Sequence, residues 1–337
     1  MKKKLLSLLQ YILFLGLGIF LIWLSVRDLS ANEWQQLVNS LKDAKYWLMI
    51  PVLGALMVSH WSRAIRWKIL MQPLGYQPNT LNTFFAVIVG YLANLAIPRL
   101  GEVLKCTILA RYEKIPADKL VGTIVAERAF DFICLLLVIF FTIITQVGVI
   151  GDFANKEFSN TLQNKTSALS WSGLITLVIV LLLLTIAAWF VLVKLKHLTV
   201  VKKIRAVIFG IWQGLTSVRH IKNKGAFFFH TAFIWVLYLA SIRLGFYAMD
   251  ATSHLGMKEA LSVLSFGSIA MILTQGGIGA YQYLVQKVML VYKVQEVEGL
   301  AFGWLLWGAQ TGIILLTGVI SLGLLPYLNR NKSARSV

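Results

Sequence analysis

The stretch Leu95-Ala96-Ile97-Pro98-Arg99-Leu100-Gly101-Glu102-Val103 interrupts an apolar region with a proline, a glycine and two opposite charges. Pro98 lacks a backbone hydrogen-bond donor, and Gly101 tolerates backbone angles that other residues avoid. Both features are typical of a broken helix. Irregular backbone at membrane depth survives only where protein or a watery cavity surrounds it. The stretch therefore predicts a helix that breaks inside the bundle of a membrane protein.

Three further charges lie on the next apolar segment. Glu127 and Asp131 are four residues apart and share a helix face, and Arg128 is three residues before Asp131. A charged side chain near the bilayer centre costs roughly 2.5–3.5 kcal/mol on insertion scales, so such residues usually mark a site or pair with one another. A broken helix beside buried charges is a common way for transporters to build a binding site.

The composition agrees with a membrane protein. The chain has 337 residues, of which 58% are hydrophobic and only 14% charged, so we predict one all-α polytopic transmembrane domain over residues 1–337. The excess of 32 Lys and Arg over 14 Asp and Glu predicts cytoplasmic loops and no nucleic-acid partner. Cys106 and Cys134 lie in apolar segments and are expected to be core residues. The five His are scattered, so we expect neither a metal site nor a cofactor.

Hydropathy predicts about six full spans and two amphipathic surface helices. The spans are Leu5–Val26, Tyr46–Arg63, Leu120–Ile150, Trp171–Val193, Ala226–Met249 and Gly299–Leu325, and the surface helices are Ser30–Lys45 and Lys194–Lys224. A polar loop is predicted at Asp152–Ser170. Arg63 and Arg66 are expected to mark a cytoplasmic end and to face lipid headgroups. Most Lys and Arg fall on the side that also holds both termini, which predicts that the N- and C-termini are cytoplasmic.

Two segments are too short or too broken to span. Residues 80–110 predict a re-entrant helical hairpin from the inside, and residues 259–292, broken at Gln275-Gly276-Gly277-Ile278-Gly279, predict a second from the outside. Each half of the chain thus has the same order of elements: a span, a surface helix, a span, a hairpin and a span. The two halves enter the membrane from opposite sides. This pattern predicts an inverted-topology repeat with halves 1–150 and 171–328, in which corresponding broken segments indicate the binding site.

Several short motifs together resemble a known family. The motifs are Arg63-Ala64-Ile65-Arg66-Trp67, Asn94-x-x-x-Pro98-Arg99-Leu100-Gly101-Glu102, Gly122-Thr123-x-x-x-Glu127-Arg128-x-x-Asp131 and Gly276-Gly277-Ile278-Gly279. The chain resembles the flippase-like membrane domain family of lysylphosphatidylglycerol synthases, as a stand-alone relative. The resemblance implies lipid translocation in the bacterial inner membrane. In that family the second glycine motif is often preceded by Pro and followed by Glu, and here Gln275 and Gln282 hold those places. The family's synthase activity resides in a soluble acyltransferase domain, and no stretch here is long and polar enough to form one.

These observations give a set of expected substrate-binding residues. The set is Asn94, Arg99, Glu102, Glu127, Arg128, Asp131, Gln275, Gly277, Gly279 and Gln282. Arg99 and Arg128 would hold a lipid phosphate, because the planar guanidinium bonds phosphate in a bidentate manner. The carboxylates would orient those arginines or bind an amine-bearing headgroup. Alternatively, the carboxylates only neutralise the two arginines and fasten the hairpin.

The function that we predict is an inner-membrane lipid flippase or scramblase-like transporter with no catalytic residues. Its expected partners are membrane lipids: an anionic or aminoacylated phospholipid, or a lipid-linked intermediate. An intramembrane enzyme acting on a lipid-linked substrate is one alternative, although the sequence has no HExxH motif and no nucleophile–histidine arrangement. A non-transporting membrane subunit is the other. No Walker motif is present, so direct use of ATP is not expected.

Overall fold

The structure, a computed structural model, describes residues 15–97, 99–161, 216 and 218–333. Within these residues the secondary structure is helical, with short 3₁₀ turns at several helix ends. The α-helices are α1 (Leu15–Val26), α2 (Ala31–Lys42), α3 (Met49–Met71), α4 (Thr80–Ala96), α5 (Leu100–Glu113), α6 (Ala117–Thr161), α7 (Lys224–Gly245), α8 (Met257–Leu273), α9 (Ala280–Val291) and α10 (Glu296–Ser333). The predicted all-α fold is confirmed for this part of the chain.

Four stretches of the described chain are helical, long and apolar enough to cross a membrane: Tyr46–Leu74, Ala117–Gln146, Lys224–Ala248 and Glu296–Arg330. They correspond to four of the six predicted spans and make the chain a multi-pass membrane protein. A fifth is reached if α1 and α2, which meet at a bend of 109°, count as one broken span. The predicted span Trp171–Val193, the start of Leu5–Val26 and most of the surface helix Lys194–Lys224 lie outside the described residues.

Helix α2 begins with the capping box that the sequence predicts. The backbone N–H of Glu33 donates to Ser30 Oγ at 3.3 Å, and the backbone N–H of Ser30 donates to Glu33 Oε2 at 2.8 Å. The hydrogen bonds from Ser30, first from its hydroxyl and then from its backbone, hold the pKa of Glu33 below its usual value. Leu37 is buried, and Gln36 donates to Gln295 Oε1 at 2.8 Å just before α10. The amphipathic helix therefore packs against the start of α10.

Two predicted boundaries are wrong. Helix α3 continues to Met71 instead of ending at Arg63, because the residues that follow Arg66 are again largely apolar and are buried. Helix α6 continues to Thr161, so ten residues of the predicted loop Asp152–Ser170 are helical. Those ten residues contain neither Pro nor Gly, and a helix that has already formed adds residues at little cost.

Both predicted helix breaks are present, and their backbone geometry matches. Helices α4 and α8 each have 17 residues and each end at an extended residue, Ile97 (φ −139°) and Thr274 (φ −127°). The residue before α5 is Arg99 (φ 65°), and the residue before α9 is Gly279 (φ 73°). The left-handed backbone at Arg99 is unusual for a residue with a side chain. The chain thus reverses at both breaks, and the second break is the longer, because it contains a 3₁₀ turn at Gln275–Gly277.

In each pair the second helix crosses the first at the same residue position, counted from the helix starts. A Cβ on Gly101 would lie 1.9 Å from the carbonyl oxygen of Gly90, and a Cβ on Gly267 would lie 2.8 Å from the ring of Tyr281. Gly90 and Gly267 are both the eleventh residue of their helices, counted from Thr80 and Met257. Gly101 and Tyr281 are both the second residue of theirs. Backbone meets backbone in the first pair, whereas an aromatic ring fills the crossing in the second.

The two breaks meet inside the bundle. Gln275 Nε2 donates to the carbonyl oxygen of Leu95 at 2.9 Å, and Trp307 Nε1 of α10 donates to the carbonyl oxygen of Gly276 at 2.8 Å. Helix α1 packs against the second break so closely that a Cβ on Gly279 would lie 2.0 Å from the carbonyl oxygen of Gly18. Protein therefore surrounds the second break, as a membrane interior requires, whereas Ile97 and Arg99 of the first break are exposed.

The crossing at Gly101 gives a stability prediction. Gly101→Ala places a methyl group against the Gly90 carbonyl, and overpacking of this kind costs about 1–3 kcal/mol. We expect the variant to melt several degrees below the wild type in detergent, as measured by differential scanning fluorimetry. Gly122→Ala on α6 is the matched control, because nothing lies within 4 Å of its Cβ. The control should melt at or slightly above the wild-type temperature. Equal melting temperatures for the two variants would contradict the close contact between Gly101 and Gly90.

Candidate functional site

Helices α3 and α6 bring two arginines against two carboxylates. Arg63 and Arg66 are one turn apart on α3, and Glu127 and Asp131 are one turn apart on α6, so each pair lies on one helix face. Arg63 Nη1 lies 2.9 Å from Glu127 Oε1 and 2.5 Å from Asp131 Oδ2. Arg66 Nη2 lies 2.7 Å from Asp131 Oδ1. These charge-assisted hydrogen bonds join the two helices.

Helices α5 and α7 complete the arrangement. Lys105 Nζ lies 2.9 Å from Glu127 Oε2 and 4.5 Å from the centre of the Trp67 ring, where a cation is attracted to the aromatic face. From α7, the hydroxyl of Tyr238 accepts from Arg63 Nη2 at 3.2 Å. We call Arg63, Arg66, Lys105, Glu127 and Asp131 the buried network. It ties α3, α5 and α6 together, and Tyr238 connects it to α7.

The buried network carries an excess of positive charge. Its three cations are each no more than 5% exposed, and only two carboxylates face them. A buried charge is costly unless it is paired and hydrogen-bonded. The excess makes the neighbourhood of the network favourable for an anion.

Arg128 and Glu102 lie at the edge of the network, and Arg99 directly precedes α5. We call these three charges the rim residues. Arg128 Nη2 is 3.6 Å from Glu127 Oε1, and its Nε is 3.8 Å from Glu102 Oε1. Both distances are longer than a good hydrogen bond. The Arg128 side chain is 46% exposed. Arg99 is exposed at the first break and has no ion pair among the described residues. The rim arginines thus retain donors for a ligand.

A narrow crevice separates the first helix break from α6. Its lining residues come from α4, α5 and α6 and are Val87, Gly90, Tyr91, Asn94, Gly101, Glu102, Lys105 and Arg128. Asn94 Oδ1 accepts from the backbone N–H of Gly101 at 2.8 Å, which holds the break in shape. The crevice has a volume of about 10 Å³, the size of roughly one water molecule. It leads from the rim to Lys105.

The structure thus brings several predicted site residues together and adds three that were not predicted. Asn94, Glu102 and Arg128 share the crevice, and Glu127 and Asp131 lie directly behind it in the buried network. The expectation that Arg63 and Arg66 face lipid headgroups is wrong, because both are buried and ion-paired. Lys105, expected among the cytoplasmic charges, is also buried. The signal that could have found the two arginines is their spacing of three on α3, which complements the spacing of four between the two carboxylates of α6.

The alternative pairing predicted from sequence is found only for Arg128, which lies 3.8 Å from Glu102 and 3.6 Å from Glu127. Asp131 contacts Arg63 and Arg66 instead of Arg99 or Arg128, and Glu127 makes its closest contacts with Arg63 and Lys105. The carboxylates therefore neutralise cations of α3 and α5, which the sequence pattern alone did not connect to them.

The predicted residues of the second break form a separate, uncharged group. Gly277 (φ 74°) and Gly279 (φ 73°) shape the turn, and Gln275 is buried within it. Gln282 is buried in the first turn of α9. The hydrogen bond from Gln275 to Leu95 connects this group to the first break.

The described residues contain no group of three His, Cys, Asp or Glu side chains that could hold a metal ion. Cys106 and Cys134 are both free thiols, on α5 and α6. The charged and amide side chains of the site offer ionic and hydrogen-bonding contacts to a ligand.

Comparison with known proteins places this arrangement in a family. A family model described as the lysylphosphatidylglycerol synthase TM region matches residues 9–318. The chain belongs to this family. The match covers both helix breaks and all of the buried network. No soluble acyltransferase domain is evident in the described residues.

One distant relative supports the membrane assignment. The chain is 32% identical over 122 residues to the UPF0104 membrane protein MJ1595 of Methanocaldococcus jannaschii. The aligned part is 35% of this chain and 33% of the relative, so the chain matches about a third of that protein's length. No solved structure matches the chain.

The buried network gives a second stability prediction. Glu127→Gln leaves three buried cations facing one carboxylate, and breaking a buried pair in this way costs about 3–5 kcal/mol. We expect a large fall in melting temperature. The double variant Glu127→Gln with Lys105→Met should recover part of that loss, because it removes one of the uncompensated cations. Glu102→Gln is the control, since its 3.8 Å contact with Arg128 is partly exposed and such pairs contribute about 0–1 kcal/mol. The ion-pair interpretation fails if the double variant melts below the wild type by the full sum of the losses of Glu127→Gln and Lys105→Met measured singly.

Proposed function

We propose that the protein is a lipid transporter of the flippase or scramblase type, which moves a phospholipid or lipid-linked molecule between leaflets. The headgroup would pass the rim residues while the acyl chains remain in the bilayer. Membership of a family of lysylphosphatidylglycerol synthase membrane regions is consistent with a lipid-related role. The observation that carries the proposal is the excess positive charge of the buried network beside a broken helix.

The division between paired and unpaired arginines supports a phosphate ligand at the rim. Arg63 and Arg66 make short contacts of 2.5–2.9 Å with carboxylates and are already occupied. Arg128 makes only contacts of 3.6–3.8 Å, and Arg99 makes none among the described residues. A guanidinium with free donors suits a phosphate diester because its planar fork matches two phosphate oxygens. The buried network would then act as the rigid support of the rim.

The size of the crevice implies movement. A space of about 10 Å³ accepts roughly one water molecule and no headgroup, so this conformation is closed. The matched geometry of the two helix pairs supports an inverted repeat with two re-entrant hairpins, and such repeats alternate access by rocking one element against another. On this proposal the protein lies in a bacterial inner membrane with both termini in the cytoplasm.

The transport role is tested with purified protein in liposomes that contain a phospholipid labelled on its acyl chain. We expect the wild type to accelerate leaflet exchange, measured by dithionite quenching of the fluorophore. The combined variant Arg99→Gln and Arg128→Gln should slow exchange at least tenfold, because it removes both free guanidinium groups. Arg128→Lys alone should lose part of the exchange rate, because lysine keeps the positive charge but lacks the planar guanidinium that bonds two phosphate oxygens.

Arg27→Gln is the matched control for this experiment. Arg27 is partly exposed and pairs with its neighbour Asp28 at 3.0 Å, away from both breaks. It should retain the wild-type rate. A double variant at Arg99 and Arg128 that folds and transports normally would eliminate phosphate binding at the rim, and wild-type protein that moves no lipid above empty liposomes would eliminate the transporter assignment.

A further inference from the structure

The second helix break holds a buried amide that has no partner. Gln282 is 1% exposed, and neither its Oε1 nor its Nε2 has a hydrogen-bond partner among the described residues. Gln275, 7% exposed, uses its Nε2 for the bond to Leu95, while its Oε1 is also unpartnered. Thr274 Oγ1 has no partner either, so four buried polar atoms at the second break and the start of α9 have unmet hydrogen-bonding capacity.

Leaving these atoms unpaired is unfavourable. A buried polar group without a partner costs about 1–3 kcal/mol, and most buried polar groups in proteins are paired. A leucine at position 282 would have nearly the same volume and no such cost. The amide is therefore better explained by a ligand that enters the break than by packing.

The start of α9 offers further donors at the same place. Gln282 is the third residue of α9, and the helix has no side-chain cap because Gly279 precedes it. The first backbone N–H groups of a helix lack partners within the helix and carry partial positive charge. The N–H of Ala280 donates to the carbonyl oxygen of Ile278 at 2.8 Å, which leaves the N–H groups of Tyr281 and Gln282 as the donors beside the unpartnered amide.

The corresponding part of the first break is charged. Glu102 is the third residue of α5 and Arg99 precedes that helix, whereas Gln282 and Gly279 hold these places in the second pair. Counted from the helix start, the position of Lys105 is held by the apolar Val285. The backbone geometry of the charged site is thus repeated with neutral hydrogen-bonding groups.

We infer that Gln282 and the start of α9 form a second headgroup subsite, which binds a neutral, hydroxyl-bearing moiety of the lipid. The inference rests on the proposed transport function. An amide offers one donor group and one acceptor, which matches a hydroxyl that also donates and accepts. An ammonium group only donates, is stabilised by a carboxylate, and is disfavoured at a helix N-terminus. The subsite therefore favours a polyol headgroup such as glycerol over an amine-bearing one.

One hydrogen bond puts the two breaks in contact, and on the proposed function one lipid would use both subsites. The bond between Gln275 and Leu95 joins the second break directly to the end of α4, and Asn94, next to Leu95, lines the charged crevice. The phosphate would lie at the rim arginines and the hydroxyl-bearing part at Gln282. Selectivity among phospholipids with the same phosphate would then depend on Gln282.

The test compares two labelled lipids in the same liposomes, phosphatidylglycerol and phosphatidylethanolamine, each labelled on an acyl chain so that the headgroup is intact. We expect the wild type to move phosphatidylglycerol faster. Gln282→Glu supplies a carboxylate for an ammonium and should lower the ratio of the two rates about tenfold. Gln282→Leu should slow phosphatidylglycerol about three- to tenfold, which corresponds to one or two hydrogen bonds. Gln35→Glu, the same change on the exposed face of α2, should keep the wild-type ratio.

Melting temperature in detergent provides a second readout that separates ligand binding from structure. If the amide serves a ligand, Gln282→Leu melts at or above the wild-type temperature, and added phosphatidylglycerol stabilises the variant less than the wild type. A lower melting temperature with an unchanged rate ratio would show a structural amide and overturn the inference. Unchanged ratios in all variants would overturn it while the transport function stands. Failure of the wild type to move either lipid would reject both.

Discussion

The carboxylate of Glu127 is the contact on which the arrangement of the first half depends. It is fully buried, and its two oxygens lie 2.9 Å from Arg63 of α3 and from Lys105 of α5. A carboxylate in that position is strongly unfavourable without both partners. Helices α3, α5 and α6 must therefore keep one relative register. The close crossing of Gly101 and Gly90 follows from the same constraint, because α5 has to turn back sharply after the break for Lys105 to meet Glu127.

This constraint separates charges that hold the structure from charges that remain available. Cations with short contacts to carboxylates gain little from an added anion, whereas Arg99 and Arg128 have unused donors beside a region of excess positive charge. A rigid support with free arginines at its edge lowers the cost of ordering those side chains when a phosphate binds. Charge clusters in membrane proteins are often interpreted as a single site. Here the buried network supports the exposed charges beside it.

The sequence predicted the elements of the fold better than their contacts. The breaks at 97–99 and 274–279 were recognisable because Pro, Gly and charge interrupt apolar runs, and the capping box of α2 followed from local spacing. The partners of Glu127 and Asp131 were not recognisable, since nothing local shows that α3 packs on α6. Arg63 and Arg66 were mistaken for a helix end because Lys68 follows them, although Ile69, Leu70 and Met71 continue the apolar face. Long-range pairing between helices is set by packing, which a single sequence does not display.

The two helix pairs share a backbone design and differ in chemistry, and the difference fits a transport cycle. Two strongly charged phosphate sites in one protein would bind a lipid tightly at every stage, and tight binding slows release. Movement through a protein requires binding strong enough for entry and weak enough for exit. Under the proposed function, the charged site at the first break binds the lipid strongly enough for entry. The neutral site at the second break binds it weakly enough for exit. At the second crossing a side chain, the buried Tyr281 ring, takes the place of the backbone contact at Gly101. Because an aromatic ring spaces the helices of the second pair, the helices of the first pair are the more closely packed.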